Sequence, residues 1–147
     1  MKRIATAIGT LVLAVTLPIA PAGASGRQAR LQLRNTKLGT ILVNGRGFTL
    51  YAFTKDSRNV DACVKIKGCL GAWPALTTVA KPIAGSGVKA SLIGTINVKG
   101  VGRQVTYAGH PLYTYVGDRG PGSTFYVNIL QFRGRWPALN AAGQEVK

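Results

Sequence analysis

Acidic residues are nearly missing from this chain. Of 147 residues only four are acidic, against 19 lysines and arginines, and the formal charge is +15. The four are Asp56, Asp61, Asp118 and Glu145. So few carboxylates weigh against a dedicated cage for a hard cation, which takes about six oxygens. Histidine is scarcer still. His110 stands alone, so a nucleophilic triad with an imidazole base would have to centre on it. No Gly-x-Ser-x-Gly elbow accompanies it. Cysteine is limited to Cys63 and Cys69. With one histidine they fall short of the four ligands of a structural zinc site. The Cys-x-x-Cys-His pattern of haem attachment is also absent. The turns Asn44-Gly45-Arg46-Gly47 and Lys99-Gly100-Val101-Gly102 lack the Gly-Lys-Ser/Thr ending and following helix of a phosphate loop. No cofactor is implied.

The chain begins with a secretory leader. Lys2 and Arg3 open it, an apolar run covers residues 4–20, and Ala22-Gly23-Ala24 has the small-x-small form of a cleavage site. Cleavage after Ala24 is expected. No cysteine near this point could carry a lipid, and no later segment is long and apolar enough to span a membrane. Taking the 24-residue leader from 147 leaves 123 residues, enough for one domain with a core. Taking Lys2 and Arg3 from the formal +15 leaves +13. Residues 25–35 read as a flexible basic leader, and residues 36–145 as a single β domain.

An internal duplication organises that domain. Leu50-Tyr51-Ala52-Phe53 with Asp56 recurs as Leu112-Tyr113-Thr114-Tyr115 with Asp118, at an offset of 62. Trp73-Pro74-Ala75-Leu76 recurs as Trp136-Pro137-Ala138-Leu139, at an offset of 63. Gly39-Thr40-Ile41 matches Gly94-Thr95-Ile96, and Gly45 matches Gly100, both at an offset of 55. On these offsets the second copy gains seven residues between Gly102 and Tyr113. The repeats span about 36–80 and 92–142.

Turns recur at short spacing, and β-branched and aromatic residues fill the runs between them. That pattern predicts an all-β domain of antiparallel strands with little helix. Strands are expected at 38–43, 47–54, 92–98, 103–107, 111–116 and 124–130. Period-two alternation puts Tyr51 and Phe53 on one strand face and Leu50, Ala52 and Thr54 on the other. Tyr113 and Tyr115 repeat the arrangement. With Trp73 and Trp136 these aromatics are expected to organise the core. Asp56 and Asp118 lie just past the strand ends, where aspartate commonly accepts backbone N–H bonds and closes a turn. A metal-binding pair, or paired carboxylates for glycoside hydrolysis, is the alternative. Cys63 and Cys69, an even pair in a secreted chain, are expected to form a disulfide.

At this point the residues resemble a known group, the bacterial secreted-repeat proteins described as predicted lipoproteins with a Tyr-x-(Phe/Trp/Tyr)-x-x-Asp motif. Leu38-Gly39-Thr40-Ile41-Leu42-Val43, Leu50-Tyr51-Ala52-Phe53, Asp56 and Cys69-Leu70-Gly71-Ala72-Trp73-Pro74 carry the resemblance in copy one. In copy two it runs from Gln104 to Tyr113 and on to Gly117-Asp118 and Pro121-Gly122. It covers about residues 36–145 and implies a compartment and a repeat, not an activity. Many members look lipid-anchored, whereas this chain lacks the anchoring cysteine. The loop between Cys63 and Cys69 is longer than is usual in the group.

The remaining distinctive property is charge. Lys55, Arg58, Lys65 and Lys67 form the densest basic stretch and are the expected contact for an anionic partner. A secreted chain of this charge is expected to adhere to an anionic envelope polymer or acidic partner, and the charge also serves solubility. No motif for sequence-specific nucleic-acid binding is present. The first reading is thus a secreted, non-enzymatic β-domain of the cell envelope. A small-ligand or metal-binding protein is the second reading, and a hydrolase using His110 with Asp118 the third.

Overall fold

The structure, a computed structural model, describes residues 26–147. The expected leader and its cleavage site lie outside the described residues. Strand β1 (Arg30–Thr36) turns back into β2 (Gly39–Asn44), antiparallel, with Leu31 opposite Asn44 and Thr36 opposite Gly39. A short helix α1 (Cys69–Ala72) follows a 3-10 turn at Cys63–Lys65. The two-residue β3 (Ile83–Ala84) then runs parallel to β1. In the second copy β4 (Ile93–Val98) and β5 (Gly102–Tyr107) form the matching hairpin, extended by β6 (His110–Pro111). A last hairpin joins β7 (Ile129–Gln131) to β8 (Gly134–Trp136). The architecture is all-β, with two repeats and little helix.

Four expectations need correction. The basic leader does not run to residue 35, because β1 already starts at Arg30 and Leu31 is fully buried. Alternate β1 residues carry the apolar contacts, and the surrounding arginines mask that period. The two repeats also align differently. β2 corresponds to β5 at an offset of 63, since Leu42 N–H donates to Leu139 while Val105 N–H donates to Leu76. The Gly-Thr-Ile match at 55 is therefore coincidental, and copy two has no seven-residue insertion before Tyr113. The run at 124–130 is mostly turn, and only Ile129–Gln131 is strand. Asn128 has a φ of 67°, which breaks the extended backbone there. Finally, residues 50–53 and 112–114 are held by isolated bridges rather than by long regular strands.

Those bridges reveal how the copies combine. Tyr51 and Tyr113 exchange both backbone hydrogen bonds, each 2.9 Å. On one side Ala52 N–H donates to Pro137 and Thr54 N–H to Arg135. On the other Thr114 N–H donates to Pro74 and Val116 N–H to Ala72. Each repeat's Trp-Pro-Ala-Leu segment thus pairs with the other repeat's Leu-Tyr segment. The halves have exchanged strands about a pseudo-two-fold axis through the Tyr51–Tyr113 pair.

Period two then sorts the side chains. Leu50, Ala52 and Leu112 enter an aliphatic core with Leu31, Leu42, Val105 and Leu139. Tyr51, Phe53 and Tyr113 enter an aromatic core with Trp73, Trp136 and both cysteines. The motif segments are therefore buried on both faces.

Candidate functional site

The aromatic core sits on the pseudo-axis. Trp73 and Trp136 stack with ring centroids 4.0 Å apart and planes 4° from parallel. Phe53 stacks on the outer face of this pair against Trp136, and Tyr115 against Trp73, each at 4.1 Å. Tyr51 meets Trp73 edge-on at 5.1 Å, and Tyr113 meets Trp136 the same way at 5.3 Å. Such aromatic pairs contribute about 0.5–1.5 kcal/mol each beyond their burial. Both indole N–H groups are satisfied by one residue. Trp73 Nε1 donates to Gln131 Oε1 at 2.7 Å, and Trp136 Nε1 to the Gln131 carbonyl at 3.1 Å. Sequence reading missed Gln131, which has no counterpart in copy one.

Each motif tyrosine reaches the motif aspartate of the other repeat. The Tyr113 hydroxyl donates to Asp56 Oδ2 at 2.9 Å. The Tyr51 hydroxyl is shared between the two Asp118 oxygens, both at 3.1 Å. Asp56 Oδ1 also accepts the Ala62 N–H at 2.7 Å. Asp56 thus makes one bond of the turn-closing kind, whereas Asp118 is held by the hydroxyl of Tyr51. The cross-repeat clasp has no signature in either copy alone.

Burial dominates the electrostatics here. It raises the Asp56 carboxyl to about 7, aided by the Asp61 charge and opposed by the Ala62 N–H and the Tyr113 hydroxyl. Asp118 is raised for the same first reason, against the hydroxyls of Tyr51 and Ser123. Both phenols are pushed well above their ordinary value, first by burial and then by the facing carboxylate. They are donors, not bases, at any physiological pH. Asp61 is a third member of the Tyr113 cluster. It is 5% exposed, its Oδ1 accepts the Val64 N–H at 2.8 Å, and its Oδ2 has no protein partner. The Asp-x-x-Val spacing is the sequence signal for that capping bond.

The cysteines form a disulfide, with Cα atoms 5.4 Å apart. It closes the ring next to Trp73. His110 lies in β6 opposite Tyr107 and is partly buried. The carboxylate suggested as its partner, Asp118, is occupied by Tyr51. Among the described residues no three histidine, cysteine or acidic side chains converge as metal ligands do. The basic stretch is placed against several segments. Lys55 lies along Gly134, and the Arg58 guanidinium donates to the Ala108 carbonyl at 3.3 Å. Lys65 shares a groove with Asp61 and Lys99, and Lys67 is exposed.

The sequence comparison agrees with this repeat structure. A family model described as a secreted repeat of unknown function matches residues 32–77 and again residues 94–140. The chain belongs to this family of secreted repeats. The starts of the two matched spans differ by an offset of 62 and their ends by 63, as the structural alignment requires. Comparison with curated proteins and with solved structures gives no match. No helix among the described residues is long and apolar enough to cross a membrane.

Proposed function

We propose that this secreted repeat protein is a non-catalytic binding module that holds anionic polymers at the cell envelope. One observation carries the reading. The fold engages or buries all four carboxylates while leaving most of the cations exposed and unpaired by acids. Asp56 and Asp118 are engaged by tyrosines, Asp61 is buried, and Glu145 is paired with Arg135 at 2.6 Å. That is the one ion pair among the described residues. Setting aside Lys2 and Arg3 of the leader, the 19 lysines and arginines become 17, and the described surface is strongly positive. Solubility needs no such segregation of sign, since mixed surfaces serve it well. A field of one sign attracts polyanions and raises their rate of encounter.

The aromatic core supports a structural rather than catalytic role for the motif. The rings of Tyr51, Phe53, Trp73, Tyr113 and Trp136 are buried, the hydroxyls of Tyr51 and Tyr113 and both indoles are paired, and the motif carboxylates are engaged across the repeats. Salt-dependent retention tests the binding reading. The secreted chain is applied to purified cell envelopes and to a neutral matrix over a salt series. Retention on envelopes at low salt, lost as the Debye length falls below about 10 Å, is the expected result. Equal passage through both matrices at low salt would overturn the proposal.

A further inference from the structure

The pseudo-symmetry exposes one place where the two repeats differ in kind. In copy two Tyr107 ends β5, and its hydroxyl ties two segments together. It accepts the Lys89 N–H at 3.0 Å and donates to the Ala141 carbonyl at 2.8 Å. The turn at Gly143 closes over Ala108 and the Tyr107 ring. Ala108 N–H donates to the Leu92 carbonyl, which fixes the neighbouring strand. This corner of the fold is packed shut.

The matching corner of copy one is open. Asn44 stands where copy two has Tyr107, Gly45 where it has Ala108, and Arg30 where it has Leu92, by the pairings of Leu31 with Asn44 and Ile93 with Tyr107. A cleft of about 550 Å³ lies here, lined by Arg27, Arg30, Asn44, Arg46, Leu76 and Thr77 among others. Two of the three arginines are held by ordinary packing. The Arg46 guanidinium sits 5.1 Å over the Phe48 ring. The Arg30 stem lies on Gly45, where an added Cβ would come within 3.3 Å of it. Asn44 fixes the turn beneath by accepting the Arg46 and Phe48 N–H groups at 2.9 and 3.1 Å. No carboxylate lines the cleft, and the one ion pair among the described residues lies elsewhere.

The geometry points to this cleft as a binding site for a phosphate-bearing group, such as one unit of a phosphopolymer. Three arginines line it, and a guanidinium offers forked donors that match phosphate oxygens two at a time, which lysine does not do. The cleft is open to solvent, so a polymer can enter along its length. The chemistry is shared by a free oligophosphate and by a polymer-borne phosphate. This site rests on the polyanion reading above and gives that reading an address.

Isothermal titration with inorganic tripolyphosphate tests it. The chain is expressed with its own leader and used as the host processes it. A triple variant, Arg27→Gln with Arg30→Gln and Arg46→Gln, is compared with Lys37→Gln, Lys89→Gln and Lys99→Gln, which removes equal charge elsewhere. All six side chains are exposed, so both variants should fold, as circular dichroism would verify. The cleft variant should bind about a hundredfold more weakly or worse, because charge-assisted hydrogen bonds are lost, and the lysine variant only a few-fold. Equal weakening in both, or no binding of tripolyphosphate by the unaltered chain, would overturn the cleft. Envelope retention would still stand or fall separately. A chain that ignores tripolyphosphate yet stays on envelopes loses this site and keeps the general reading. A chain that does neither loses both. A cleft variant that loses tripolyphosphate but stays on envelopes would show that the site takes free oligophosphate and is not the polymer contact.

Discussion

At the scale of single residues the unusual feature is a carboxylate made to depend on a tyrosine from the other repeat. Asp56 is held near neutrality by burial, with a folded pKa of about 7 against an ordinary 3.8. The folded chain therefore binds a proton more tightly than the unfolded chain between those two values. The stabilisation linked to this proton is fully present below about pH 4 and is lost as pH rises through 7. Asp118 is raised in the same direction and adds to the same trend. Asp56→Asn keeps an acceptor for the Ala62 N–H and removes the titration. Its melting temperature should fall less than that of the unaltered chain between pH 4 and 8. Parallel melting curves for the two proteins across that range would refute the assignment. The positions of both aspartates were legible in the repeated motif. Their partners were not, because a hydroxyl 57 residues away leaves no local trace.

At the scale of elements the sequence spoke clearly where a signal was local. Two cysteines in a secreted chain implied their bond, and period two separated Leu50 from Tyr51 before any packing was known. It spoke misleadingly where β propensity met a turn. Residues 124–128 are rich in β-formers yet turn, because Asn128 takes a left-handed backbone and Tyr126 packs at 4.6 Å on Tyr115. It was silent on the arginine cleft, which arises only when β1, the turn after β2 and the segment after Trp73 meet. The disulfide ring belongs to this scale. It joins the 3-10 turn to α1 and so sets the approach of Trp73 to the stack. Cys63→Ala with Cys69→Ala should lower unfolding free energy by about 2 kcal/mol from loop closure alone. Burial of both sulfurs in the aromatic core adds a cavity cost on top. Urea denaturation measures this, and a midpoint unchanged from the oxidised protein would show that the ring does not constrain the fold.

At the scale of the whole molecule the strand exchange makes the repeats inseparable. Without residues 73–76 the second repeat leaves Tyr113 and Leu112 without their neighbours, and without 136–139 the first loses the partners of Leu42 and Ala52. A lone repeat would expose half of a stacked tryptophan pair and strand edges with unsatisfied amides, both of which cost free energy in water. Fragments 26–80 and 81–147 should therefore each lack native structure when expressed separately. Mixing them should restore it, because a cut between residues 80 and 81 interrupts no strand and leaves β3 and Val88 free to rejoin β1 and the core from the second fragment. The observable is the circular dichroism of Trp73 and Trp136, whose rings couple only when stacked at 4.0 Å. A signal absent from each fragment and present in the mixture is the expected outcome. Intact protein should likewise unfold in one transition, with calorimetric and van't Hoff enthalpies in agreement. A fragment 26–80 that melts cooperatively by itself would mean that the repeats are separate domains, and the exchange across Tyr51 and Tyr113 would then be contact without dependence.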